Sequence, residues 1–120
     1  MMRVSCPVSL LLSAAVLCCN ALAEPLQDAD AERGKEAVRR YGCSACHTIP
    51  GIANQGSNIG PPLAKMAKRA YIGGVLPNTP GEMVRWLRNP PQAVPRTAMP
   101  NLGVTEGDAR DIAAFLYTLD

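Results

Sequence analysis

Five consecutive residues, Cys43-Ser44-Ala45-Cys46-His47, hold the densest chemistry in the chain. Two thiols three positions apart lie about one helical turn from each other, close enough for each to add to a vinyl group of the same porphyrin. The imidazole that follows at once is placed to reach the iron as an axial ligand. This spacing is that of covalent haem attachment: one haem c, thioether bonds at Cys43 and Cys46, and His47 on the metal. Two other chemistries use the same residue types. A thioredoxin-like redox pair would need a βαβ setting, whereas the flanks here read as helix and loop. A structural zinc site wants four ligands, and beyond Cys43, Cys46 and the single His, residues 24–120 offer only scattered carboxylates.

The first 23 residues read as a cleavable secretory signal. Arg3 supplies the positive start, residues 8–19 form an almost unbroken apolar run, and Ala21-Leu22-Ala23 has the form of a cleavage site. The run falls short of the ~20 residues that a membrane-spanning helix needs. Neither Cys18 nor Cys19 follows the small residues that usually precede a lipid-modified cysteine. Cleavage before Glu24 would remove Cys6, Cys18 and Cys19, leave the motif pair as the sole thiols, and place residues 24–120 in the periplasm as one domain. With one Phe, one Trp and three Tyr in the chain, that domain is poor in large core residues. A domain of this size buries only about 60–70% of its unfolded surface, so a porphyrin is expected to complete the core and folding to depend on it.

The motif needs elements to carry it. Residues 30–41 place Gly34, Ala37, Val38 and Tyr41 on one face of a helix that runs straight into Cys43. At the far end Thr105 and Asp108 have capping-box spacing, and Ile112, Phe115, Leu116 and Leu119 form an apolar stripe behind them. Between these, residues 80–87 read as a shorter helix, with Pro80 at its start, Asn89-Pro90-Pro91 as its stop, and Met83, Trp86 and Leu87 facing inward. Gly inside a helix costs about 1 kcal/mol relative to Ala. Gly34 therefore predicts a close helix crossing, with Phe115 or Leu116 packed over the bare position. The connecting loops are dense in Gly, Pro and Asn, a composition that packing against a haem would order. No internal repeat or low-complexity tail interrupts the pattern.

Together these features resemble the small mono-haem class I cytochromes c. Besides residues 43–47, the resemblance rests on Gly60-Pro61-Pro62-Leu63, on Trp86-Leu87-Arg88-Asn89-Pro90, and on Val94-Pro95-Arg96-Thr97-Ala98-Met99, in that order along the chain. It implies an all-α cytochrome c fold, with three main helices, short helical turns and long loops wrapped around one haem. It also implies roles: the Pro61 carbonyl accepting from His47 Nδ1, Leu63 against the proximal face, Trp86 on the distal side near Met99, and Thr97 near a propionate or the ligand loop. Tyr41 and Tyr71 have no place in these motifs and read as ordinary core.

Met99 is the expected distal ligand, since a thioether opposite His47 gives the pair that raises haem potential. Met66, in a helix-like Ala-Lys-Met-Ala-Lys stretch, and Met83, in the short helix, read as gap-filling residues. Where the resembled family has Gly before the Thr of the ligand loop, this chain has Arg96, which would be strained if that position needs positive φ.

Residues 61–104 carry Lys65, Lys68, Arg69, Arg85, Arg88 and Arg96 against Glu82 alone, while both flanks are net acidic. The basic segment would steer an acidic docking face; its other reading is a solvated surface with no docking role. Nucleic acid is not an expected partner, membranes are met only through partner complexes, and no Gly-rich phosphate loop or carboxylate pair suggests an enzyme. The resemblance implies a one-electron carrier between a quinol-oxidising complex or dehydrogenase and a terminal oxidase. Two alternatives stand beside it: an electron-transfer subunit of a larger oxidase or dehydrogenase, and a haem enzyme or gas sensor whose sixth ligand is displaceable.

Overall fold

The Asp30 carboxylate accepts the Arg33 amide at 2.8 Å and so caps helix α1 (Ala31–Arg40). In this computed structural model, which describes residues 25–56 and 58–120, α1 buries Gly34, Ala37 and Val38, the face that the spacing predicted. The expected leader, residues 1–23, lies outside the described residues. After α1, Gly42 at φ +69° turns the chain into a short 3₁₀ turn, Cys43–Ala45. A long loop follows, then a second 3₁₀ turn at Met66–Lys68.

Helix α2 (Pro80–Arg88) starts with the Thr79 hydroxyl accepting the Glu82 amide and with proline in its first turn. Its Met83, Trp86 and Leu87 are buried as expected. Asn89 then ends α2 and caps α3 (Pro90–Ala93), because prolines forbidden inside a helix are tolerated in a first turn. The last helix, α4 (Glu106–Leu116), is capped by Thr105 through the Asp108 amide. Leu119 falls in the turn beyond α4 and is nonetheless buried.

The molecule is mostly helical, which fits the all-α expectation, with one very short ladder besides. A two-residue ladder pairs β1 (Tyr71–Ile72) with β2 (Leu76–Pro77), antiparallel, with Ile72 opposite Leu76. Gly73 and Gly74, at φ +56° and +73°, make the reversal possible. The short α3 was likewise not expected as a separate helix.

Helices α1 and α4 cross at Gly34. A Cβ there would lie 1.9 Å from the Asp111 carbonyl oxygen and 2.9 Å from Phe115 Cβ. The close crossing is as expected, with Phe115 over the bare position, but the backbone at Asp111 approaches nearer than the Phe115 side chain. Beside the crossing, Asp111 accepts Arg33 Nε at 2.8 Å, Arg33 Nη2 at 3.0 Å and the Asp30 amide at 2.8 Å. The hydrogen bonds from Arg33 hold the Asp111 carboxyl below its ordinary range, against the opposing effect of burial. Asn78 ties the central loops to the end of α4, donating to the Met66 and Arg69 carbonyls and accepting the Tyr117 hydroxyl at 2.8 Å. Burial pushes the Tyr117 phenol upward.

Candidate functional site

A cavity of about 330 Å³ opens between the motif turn and the loop before α4. Cys43, Cys46 and His47 line one part of it, with Pro61 and Leu63. Trp86, Thr97 and Met99 line it from α2 and the Pro-flanked loop. Every site residue expected from the sequence thus borders one space.

The motif turn is fixed by its backbone: the Cys43 carbonyl accepts the Cys46 amide at 3.2 Å and the His47 amide at 3.0 Å. Both cysteines are half-buried, and burial disfavours the charged form of the Cys43 sulfur. The His47 ring is held by the next loop. Its Nδ1 lies 2.8 Å from the Pro61 carbonyl, which can only accept, so Nδ1 is the donor and in the neutral ring Nε2 carries the lone pair. The loop is pinned to the motif by the Gly60 amide on the Cys46 carbonyl and the Leu63 amide on the Thr48 carbonyl, both at 2.8 Å. A Cβ at Gly60 would lie 2.4–2.9 Å from three atoms of the imidazole ring, so the ring needs the bare position.

On the other side the Thr97 hydroxyl accepts the Met99 amide at 3.2 Å. Met66 and Met83 also reach the cavity, but both are buried in the core, whereas Met99 is half-buried on its loop. Gly73 packs on the Trp86 indole, where an added Cβ would lie 2.9 Å from the ring. Arg96 is exposed and is not at positive φ; the non-glycine residues at positive φ, among those described, are Asp28 and Lys65. The departure at Arg96 therefore costs the loop no left-handed strain.

This donor set suits an iron porphyrin: two thiols on one turn, an imidazole of fixed tautomer, a thioether and mostly apolar walls. Among the described residues no group of three or more His, Cys, Asp and Glu is placed to hold a metal ion by itself. Sequence reasoning missed Arg69, Tyr71 and Gly73 as cavity residues. They reach it through the hairpin and the turn before it, elements too short to leave a periodic signal.

Ion pairs reduce the basic segment. Arg85 meets Glu82 at 2.8 Å, Arg88 meets Glu106 at 3.4 Å and Lys68 meets Asp120 at 3.9 Å. Arg69 donates to the Pro62 and Ala64 carbonyls and has no ion pair among the described residues. Lys65 and Arg96 are exposed and make no ion pair among the described residues. None of the described helices is long and apolar enough to cross a membrane.

Comparison with known proteins agrees with this site. The chain is 27% identical over 90 residues to a cytochrome c oxidase subunit 2 of Alkalihalophilus pseudofirmus, a stretch covering 74% of this chain and 25% of that protein. It therefore spans about a quarter of that relative's length. Residues 31–120 match the sequence profile of the Cytochrome c family, from the first residue of α1 to the chain's last residue. A match of that extent, over a chain whose two thiols and imidazole border one apolar cavity, establishes that the protein belongs to the cytochrome c family of small c-type cytochromes with covalently attached haem c.

Proposed function

We propose that the protein is an exported one-electron carrier of a respiratory chain, cleaved between Ala23 and Glu24 and working in the periplasm. Membership of the cytochrome c family implies electron transfer; the carrier's route, from a quinol-oxidising complex or dehydrogenase to a terminal oxidase, is the finer reading. Cys43 and Cys46 would hold the haem as thioethers, and His47 and Met99 would ligate its iron. When bound, the haem supplies an iron that cycles between two states one electron apart. The Pro61 carbonyl fixes the Nδ1–H tautomer of the neutral His47 ring, which leaves the Nε2 lone pair for the iron and raises its basicity. Leu63 and Trp86 exclude water from either side, and Thr97 fixes the backbone at Met99. With His47 and Met99 both ligating, the iron would have no position open to small molecules, which favours a carrier over an enzyme.

The observation that carries this reading is the Nδ1–Pro61 hydrogen bond, which presents Nε2 on a cavity that Met99 also borders. Its test is the visible spectrum of the ferric protein matured in a periplasm. We expect a low-spin spectrum with the weak charge-transfer band of thioether ligation, lost in Met99→Ala and kept in Met83→Leu. A high-spin wild type, or a band that survives in Met99→Ala, sinks the assignment and favours an open site.

The likeness to an oxidase subunit supports a second reading, a domain held permanently within a larger oxidase. Docking that rests on Lys65, Arg69 and Arg96 weakens as salt rises, because the Debye length falls from about 10 Å at 0.1 M to 3 Å at 1 M. Co-purification with other subunits at 1 M salt would favour the permanent subunit.

A further inference from the structure

Tyr41 is the C-cap of α1, two residues before Cys43, and nothing described above uses it. Its hydroxyl donates to Asp108 Oδ2 at 2.7 Å, across 67 positions of chain. The same carboxylate accepts Thr105 Oγ1 at 2.9 Å and, through Oδ1, Arg40 Nη2 at 2.7 Å. The Tyr41 oxygen accepts the Thr105 amide at 3.4 Å, and the Arg40 guanidinium lies 5.4 Å from the Tyr41 ring centroid. These donors, Tyr41 first, hold the Asp108 carboxyl below its ordinary range, so the clasp is charge-assisted at neutral pH.

What the clasp joins gives it a consequence. Thr105 is the cap at which the chain re-enters a helix after Met99. The intervening path is defined: Asn101 Oδ1 accepts the Gly103 amide at 2.8 Å, Gly103 sits at φ +71°, and Val104 is buried. Wherever Thr105 is moored, the far end of the Met99 loop is moored too. Its mooring is the residue that leads into Cys43.

We infer that Tyr41 and Asp108 are positioning residues that hold the Met99 loop against the motif turn, and so set how firmly the thioether keeps the sixth axial position. This rests on the reading of Met99 as ligand. The Arg33–Asp111 clasp joins the same two helices without touching the loop or its cap, so it serves as the purely structural comparison.

The test is to titrate the ferric holoprotein with imidazole and follow the thioether band in wild type, Tyr41→Phe, Asp108→Asn, the double variant and Arg33→Gln. Tyr41→Phe and Asp108→Asn should each give up the band at about tenfold less imidazole, equivalent to about 1.4 kcal/mol. The double variant should add little to either, as partners in one contact do. Arg33→Gln should lower the thermal midpoint and leave imidazole affinity at the wild-type value. Equal affinity in wild type and Tyr41→Phe, or the same shift in Arg33→Gln, would overturn the inference while leaving Met99 on the iron. A wild type without the band would remove the ligand reading and this inference together.

Discussion

The cavity wall that carries Cys43, Cys46 and His47 is held locally, by backbone hydrogen bonds within the motif, by two more from the Gly60–Leu63 loop, and by Pro61 on the imidazole. The wall that carries Met99 has two local turn bonds, from the Met99 amide to the Thr97 hydroxyl and from the Thr97 amide to the Val94 carbonyl, and among the described residues it is otherwise anchored at a distance. The contrast teaches that the two sides of one site respond to different parts of the chain. A substitution beside His47 acts by direct contact, whereas the Met99 side depends on the distant Tyr41–Asp108–Thr105 contact that moors its loop. In energetic terms the first wall resembles a core element and the second a loop with low local stability.

The severest test of this division is at the crossing that supports both walls. Gly34→Val would drive side-chain atoms into the Asp111 carbonyl and Phe115, contacts that neither backbone can yield without separating the helices. A loss of about 3 kcal/mol or more is expected, the upper end of overpacking costs, read as a fall in the denaturation midpoint of the holoprotein. A midpoint within error of wild type would mean that α1 and α4 do not approach this closely.

Next in size is Gly60→Ala, which acts on the first wall alone. Its added methyl meets the imidazole ring, and the backbone there is not in the left-handed region, so the effect is steric. About 1–3 kcal/mol should be lost. The imidazole should tilt away from Pro61, with a changed reduction potential and an intact thioether band. Loss of the band with an unchanged potential would reverse the division of labour between the walls.

A smaller effect is expected from acid. Asp111 and Asp108 both bind their protons less tightly in the folded chain than in the unfolded one. Their stabilisation is therefore complete above the ordinary carboxylate pKa, near 4, and is lost as pH falls through their lower native values. Arg33 is largely exposed, so solvent screening keeps the Asp111 share small. Asp111→Asn should lower the thermal midpoint at pH 7, and the gap to wild type should narrow by pH 3. A gap that widens toward acid would contradict the sign.

Legibility in the sequence followed the range of the interaction. Helices α1, α2 and α4 could be read because Asp30, Thr79 and Thr105 cap runs with helical apolar spacing. The β1–β2 ladder could not, since two residues have no period, and Gly73-Gly74 by itself marks only a turn. The motif residues and the resembled loops all reached the cavity, because each is a short local signature. Tyr41 looked like ordinary core because its partner is 67 residues away. The Gly34 crossing was foreseen, but its nearest neighbour was not: a bare Cα admits backbone, and backbone leaves no trace in side-chain pattern. The same blindness inflated the basic face, since Glu106 and Asp120 lie outside the segment whose charges they offset.

The smallest expected effect separates the walls by charge. Lys65 and Arg69 follow the loop that holds His47, and Arg96 belongs to the loop that carries Met99. Reduction of the ferrous protein's partner can be imitated with ferricyanide, a small anion that reports the local field without a docking interface. Arg96→Gln should slow its reaction with the ferrous protein by about threefold or less at low ionic strength, as expected for one charge removed at a distance in water. Arg88→Gln should change the rate less, because Glu106 already offsets that charge. At about 1 M salt the three rates should converge, the Debye length then being about 3 Å. If Arg88→Gln slows the reaction as much as Arg96→Gln, the ion pair with Glu106 does not screen its field, and the whole basic segment acts as one surface. If neither matters, electrons leave beside the His47 wall, where Lys65 and Arg69 supply the charge.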